Sequence, residues 1–204
     1  DFLRQVAHLD ERVAVMVADM KHFAAAARAL FPFAMATTAL SIATAKLRVE
    51  CADDGGQSLL LDASERGWLK EVADLLAAGV SPSVADENGH NPLHRAAFSG
   101  HLSVAQALIK AEPACMHAIS VLGSTPLHAA AFSGNEHIVS LLLRTKADPM
   151  VADAAGDQPI HRAVAENCPT VVSTLLAARA SATAPGAGQN TPLHVMALVH
   201  LDDL

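Results

Sequence analysis

One proline-centred tetrapeptide recurs four times in this 204-residue chain: Asn91-Pro92-Leu93-His94, Thr125-Pro126-Leu127-His128, Gln158-Pro159-Ile160-His161 and Thr191-Pro192-Leu193-His194. The prolines are 34, 33 and 33 residues apart. A fixed period of this length means that each unit is one supersecondary piece, able to bury its apolar face only against its neighbours. The local chemistry starts a helix at each copy. Asn91, Thr125 and Thr191 are good N-caps, and the proline that follows suits the first helical position. Small residues come next, then a turn residue: Gly100, Gly134 or Asn167. Glycine, or asparagine in its place, suits the left-handed turn that ends a helix. A second apolar helix pattern follows at 104–109, 138–143 and 171–176, and pairs such as Leu75-Leu76 and Leu142-Leu143 are expected to bury it.

On these motifs the chain resembles the ankyrin repeat family from about residue 57 to residue 204. The resemblance implies an all-α ankyrin-repeat solenoid, in which helix–turn–helix units with hairpin loops stack along one axis. The units run about 57–89, 90–123, 124–156 and 157–189, with a partial fifth at 190–204. The first is degenerate: Ser58-Leu59-Leu60-Leu61 stands at the tetrapeptide, and Gly67, Val72, Leu75, Leu76 and Gly79 then match the later units. Gln158 is a poor cap, which predicts a less firm start to repeat 4. The loop aspartate of the family is present as Asp86 and Asp153 but is Ser120 and Gly186 elsewhere, which predicts less regular loops before repeats 3 and 5.

Residues 1–50 read as an N-terminal helical hairpin, and 51–56 as a linker around Asp53-Asp54-Gly55-Gly56. Apolar residues recur at alternating steps of four and three from Phe2 to Leu30, and Pro32 stops that helix. A second stripe runs from Phe33 to Leu47. A solenoid must shield its end, so the hairpin is expected to cap repeat 1, where Leu59, Leu60 and Leu61 are apolar. The alternative is a helix pair that docks on another protein. At the other end Leu193, Val195, Met196, Leu198 and Leu201 lack a covering helix, which predicts more chain or a partner beyond Leu204.

Composition narrows the function. Half of the residues are hydrophobic (51%), too many for a disordered chain. The net charge is −7, with no clustered basic face, which argues against nucleic acid as a partner. Cys51, Cys115 and Cys168 are far apart in sequence, which favours a reducing, cytoplasmic setting, with a removed targeting peptide left open. The longest uncharged run is 29–45, only 17 residues with Pro32 inside it, and this argues against direct membrane insertion. His94, His128, His161 and His194 fall at one equivalent position per unit. Metal ligands converge, whereas these step at the repeat period, which argues against a metal site, and the resemblance implies that they make structural hydrogen bonds between neighbouring units. No HExxH, GxSxG or Walker motif occurs, so neither catalytic residues, a metal nor a cofactor is expected and the chain reads as a non-enzyme. Pro185-Gly186-Ala187-Gly188 lacks the context of a phosphate cradle and reads as a hairpin loop.

The resemblance also implies where partners bind: the end of each first helix on the concave face, and the loop tips. Here the helix positions are Glu65-Arg66, Phe98-Ser99, Phe132-Ser133 and Ala165-Glu166. The loop positions are Glu87, Asn88 and His90, then Val121, Leu122 and Ser124, then Ala154, Ala155 and Asp157. Phe98 and Phe132 should stand on adjacent units and form an apolar anchor; alternatively both rings fold onto the alanines beneath them. The expected function is a noncatalytic protein–protein interaction module. Two alternatives are a structural subunit docked through its N-terminal helices into a large assembly, membrane complexes included, and a regulatory segment of an enzyme or channel.

Overall fold

A computed structural model describes residues 42, 44–46, 49 and 56–194. Among them the regular structure is helical. The helices are α1 (Gln57–Glu65), α2 (Leu69–Ala77), α3 (Pro92–Ser99), α4 (Leu102–Ala111), α5 (Pro126–Phe132), α6 (Glu136–Arg144), α7 (Pro159–Ala165) and α8 (Pro169–Ala177), with short 3-10 turns at Pro113–His117 and Ala187–Gln189. Helices α1, α3, α5 and α7 pack one on the next as an inner row, and α2, α4, α6 and α8 do the same as an outer row. Each inner helix also packs on the outer helix of its own unit. This is an all-α helical repeat architecture.

The inner row is built on alanine. Ala96, Ala97, Ala130, Ala131 and Ala163 are fully buried. Side chains this short let neighbouring helices approach closely. The leucine of the tetrapeptide fills the space between rows: Leu93, Leu127 and Ile160 are 0–1% exposed, each worth about 1.5–3 kcal/mol of burial. In the outer row Val72, Leu75, Val104, Leu108, Leu142, Val171 and Leu175 complete one continuous core. Among the described residues no phenylalanine enters it. In repeat 1, where no proline sets the first helical position, α1 begins two residues earlier, with Gly56 as its left-handed N-cap.

Three devices clasp the units together, and all three act between repeats 2 and 3. The loop tips share main-chain hydrogen bonds: Val121 N–H donates to Asn88 O (2.8 Å) and Ala154 N–H to Leu122 O (2.9 Å). The tetrapeptide histidine is the second. His94 Nδ1 accepts the Asn91 N–H (3.2 Å), which leaves Nε2–H to donate to Ser124 O at 2.9 Å. His128 repeats this, with Nε2 reaching Asp157 O at 3.0 Å, whereas His161 Nε2 reaches Ala184 O of its own unit at 3.0 Å. The third is a side chain seated on the preceding unit's turn. His101 lies against Gly67, Asn135 against Gly100 and Cys168 against Gly134. His101 Nε2 is also 3.0 Å from Glu65 O.

One sequence expectation needs correction here. The loop at Ser120 is as regular as the one at Asp86, while the loop at Gly186 departs as expected: Gly188 and Gln189 are both left-handed (φ 64° and 67°), and the Ala187 N–H goes to Asp157 Oδ1 and not to a main-chain carbonyl. Ser120 N–H donates to Ser124 O and Gly186 N–H to Asn190 O, both at 2.8 Å, as Asp86 N–H does to His90 O at 3.0 Å. The main chain closes the hairpin whichever side chain stands there, and the Ser120 hydroxyl takes over one of the two N–H groups that Asp86 accepts. His101, at the turn between α3 and α4, is half-buried as an inter-unit contact. The weak cap at Gln158 is visible: its Oε1 is buried without a hydrogen-bond partner, and the His161 N–H turns to the Gln158 carbonyl at 2.9 Å.

The hairpin over 1–50 lies outside the described residues except for positions 42, 44–46 and 49, which are helical. There Ala45 is buried and Val49 packs against Gly56 and the core of repeat 1. Residues 195–204 also lie outside. No described helix is long and apolar enough to cross a membrane.

Candidate partner-binding surface

The C-terminal ends of the inner helices and the hairpin loops beside them form one face of the array. The 33–34 residue step places equivalent residues side by side along it: Asp62, Arg95, Ala129 and Arg162 in one row, and Glu65, Phe98, Phe132 and Ala165 in the next.

Phe98 and Phe132 end α3 and α5, and helix geometry turns both away from the alanine-lined core. They do not fold onto those alanines. Their rings stack on each other, 5.9 Å between centroids at 18°, with Phe98 54% and Phe132 41% exposed. Stacking covers one face of each ring and leaves the rest in water, an arrangement common to aromatic anchors at interfaces.

Arg95 organises the repeat 1–2 side. Its Nη2 lies 2.7 Å from Asp86 Oδ2, and its Nη1 pairs with Glu65 of the preceding unit. Asp86 is mostly buried. Burial works against its charge, but the Arg95 guanidinium and the His90 and Asn88 N–H groups outweigh it and hold the carboxyl below the usual carboxylate range. The same pairing raises the Arg95 pKa further. The repeat 4 side copies this, with Arg162 Nη2 2.6 Å from Asp153 Oδ2 and 3.7 Å from Asp157. The Asp153 carboxyl, penalised by burial, is likewise pulled down by Arg162 and two N–H groups. Between them, repeat 3 has neither partner of the pair, since Ala129 and Ser120 stand at those positions. A cavity of about 280 Å³ opens there. It is lined by Phe98, Ser99 and Ala129 together with Glu65 and Arg95, and His90 and His94 complete the wall. The two imidazoles are 5.5 Å apart. Burial pushes the His94 pKa down to about 4, so the ring is neutral, as its hydrogen bonds require.

The other sequence-derived positions divide. Ser99, Glu87 and Asn88 are exposed, as are Val121 and Leu122 at 73% and 71%. Glu166 is exposed at the repeat 4 end. Arg66 turns aside, with Nε 2.8 Å from Asp62 and its guanidinium 5.0 Å over Trp68. The Ser133 hydroxyl is spent within the fold, donating to Ala129 O at 2.9 Å and accepting from Asn135 Nδ2 at 2.7 Å. Ser124 is half-buried and serves through its main chain. His90 donates its N–H to Asp86 Oδ1 at 2.8 Å and keeps part of its ring in solvent. Arg95, Arg162 and Ala129 were not among the sequence candidates. The signal was available, because an arginine appears nine residues after the loop residue only where that residue is aspartate. Among the described residues no cluster of histidine, cysteine and carboxylates has the makings of a metal site.

Comparison with known proteins agrees with this architecture. The family profile described as "Ankyrin repeats (3 copies)" matches residues 110–186, and "Ankyrin repeats (many copies)" matches residues 60–109. The chain belongs to the ankyrin repeat family. Human Ankyrin repeat domain-containing protein 49 is 45% identical over 64 residues, covering 31% of this chain and 26% of that protein. The Bos taurus protein of the same name is 44% identical over the same shares. The chain's matched segment thus spans about a quarter of the length of these curated relatives. Ankyrin repeats typically mediate protein–protein interaction, and the face described above presents the exposed rings of Phe98 and Phe132.

Proposed function

We propose that this ankyrin array binds a protein partner through its concave face and loop tips, with Phe98 and Phe132 as the anchors. The observation that carries this reading is the stacked, half-exposed ring pair on adjacent inner helices. Two aromatic rings held by rigid helices lose little conformational entropy on binding. Val121 and Leu122 extend the apolar area along the loop tips, and Glu65 and Glu166 form a charged rim.

The test uses a partner captured with the full chain and identified by mass spectrometry. Affinity is then compared between the wild type and the Phe98→Ala/Phe132→Ala variant, whose helical circular dichroism should be unchanged because neither ring is in the core. Loss of two anchors predicts about a hundredfold weaker binding or more. Unchanged affinity in the folded variant overturns the reading.

A further inference from the structure

The inner row omits one arginine, and the omission shapes the surface. Positions 95, 129 and 162 are equivalent, and so are 86, 120 and 153. Two of these three pairs are occupied by arginine and aspartate in contact at 2.7 and 2.6 Å. The third is Ala129 and Ser120. Arg95 lies across the preceding unit's Glu65, and an arginine at 129 would lie across Phe98 in the same way, because 65 and 98 are equivalent positions. With alanine there, the Phe98 ring is left 54% exposed beside a cavity of about 280 Å³, room for one large side chain. The Phe98 ring and the Ala129 methyl make that part of the wall apolar.

Charge brackets this gap on both sides. Toward repeats 1 and 2, Glu65, Asp86 and Glu87 stand against Arg95, three carboxylates to one guanidinium, a formal −2. Toward repeat 4, Asp153, Asp157 and Glu166 stand against Arg162, again a formal −2. Asp62 and Arg66 cancel each other at 2.8 Å. An apolar slot between two acidic flanks is complementary to one kind of segment.

We propose that the gap above Ala129 receives a leucine, isoleucine or methionine side chain from a partner segment that carries lysine or arginine on both sides of it. Adjacent inner helices stand about 8–10 Å apart. An extended chain covers that distance in about three residues. The basic residues therefore fall about three positions before and after the apolar one. This rests on the concave-face reading above and adds to it the chemistry of the ligand.

The probe is a pool of random nine-residue peptides displayed on phage and selected on the immobilised full chain. The expected result is a consensus with a central Leu, Ile or Met and Lys or Arg about three residues to either side. A fluorescein-labelled selected peptide should bind about tenfold more weakly to Ala129→Arg, which fills the gap. Glu65→Lys/Glu166→Lys, two exposed changes, should weaken it similarly and turn a fresh selection toward acidic flanks. Absence of a consensus, acidic or uncharged flanks on the wild type, or undiminished binding to both variants overturns the proposal. The Phe98→Ala/Phe132→Ala variant separates the two readings. If acidic-flanked peptides are selected and lose binding to it, only this inference falls. If basic–apolar peptides lose binding to Ala129→Arg but not to it, the anchor reading falls and this inference stands.

Discussion

Arg95 Nη2 sits 2.7 Å from Asp86 Oδ2, joining an inner helix to the hairpin loop nine residues before it. Arg162 and Asp153 repeat the contact two units on, at 2.6 Å. The carboxylates are mostly buried while the arginines keep about a third of their side chains in water. Each aspartate also accepts two main-chain N–H groups, so it orders the loop as well as pairing with the arginine. Asp86→Ala should therefore cost more than Arg95→Ala, about 2 kcal/mol against about 1 kcal/mol. Urea titration of both variants and the double variant checks this. Equal losses would mean that the ion pair, and not the loop bonds, carries the effect.

The unit that lacks the pair offers the converse. Ser120→Asp with Ala129→Arg should install a third copy in a loop whose main chain already has the right geometry. Stability should rise by up to about 1 kcal/mol, with neither change alone achieving it. A thermal midpoint no higher than that of the better single variant counts against it.

Stability should depend on pH through the inter-unit histidines. His94 has a folded pKa near 4, below the 6.5 of a free imidazole, because burial opposes its charge. His128 shifts in the same direction for the same reason. A depressed folded pKa means that the unfolded chain takes up protons first. The stabilisation is complete above about pH 6.5 and is lost as pH falls toward 4. At pH 5 the His94 contribution alone should have fallen by about 2 kcal/mol. Urea midpoints at pH 7 and pH 5 measure it, and a midpoint constant over that interval would sink the assignment. His94→Ala should cost about 2–4 kcal/mol at pH 7, since it leaves a cavity and the Asn91 N–H without its partner, and removes one of the two hydrogen bonds to the Ser124 carbonyl.

Two glycines separate conformational strain from crowding. Gly79 has φ of +94° and open space where a Cβ would go. Gly89 has φ of +76°, but its Cβ would stand 2.9 Å from the Val121 main-chain nitrogen and 3.0 Å from Ser120 Cα. Gly79→Ala should cost about 1 kcal/mol of left-handed strain. Gly89→Ala adds a clash with main chain and should cost about 2–3 kcal/mol. Thermal melts of the two variants compare them, and equal melting points would contradict the loop contact.

Gln158 is the weak start of repeat 4, with its Oε1 buried and unpartnered. Thr125 shows the better solution, its Oγ1 lying 2.8 Å from His128 Nδ1. Gln158→Thr should raise stability by about 1 kcal/mol. No gain in the urea midpoint would show that the Gln158 amide bond to the Met150 carbonyl, 3.2 Å long, is worth as much as the cap.

The repeat was legible because its cause is local. Proline at the first helical position, a capping side chain before it and a left-handed residue after the helix act within a few residues of chain, so their spacing alone announces the units. The identity of Phe98 and Phe132 as equivalent positions was equally readable. Their state was not. Whether a ring at a helix end folds inward or stands out depends on how closely the next helix approaches, and the buried alanines of α3 and α5 leave no room beneath.

By itself the sequence determined the family, the order of the helices and the step that aligns one unit with the next, because each follows from contacts within a unit or between like units. Tertiary structure decided the surface. It brought Arg95 to Glu65, thirty residues away, stacked Phe98 on Phe132 and left a gap above Ala129, since each of these depends on the distance between side chains from different repeats. It also removed Ser133 from the contact face by engaging its hydroxyl within the fold, a competition between internal and external hydrogen bonds that only packed neighbours decide.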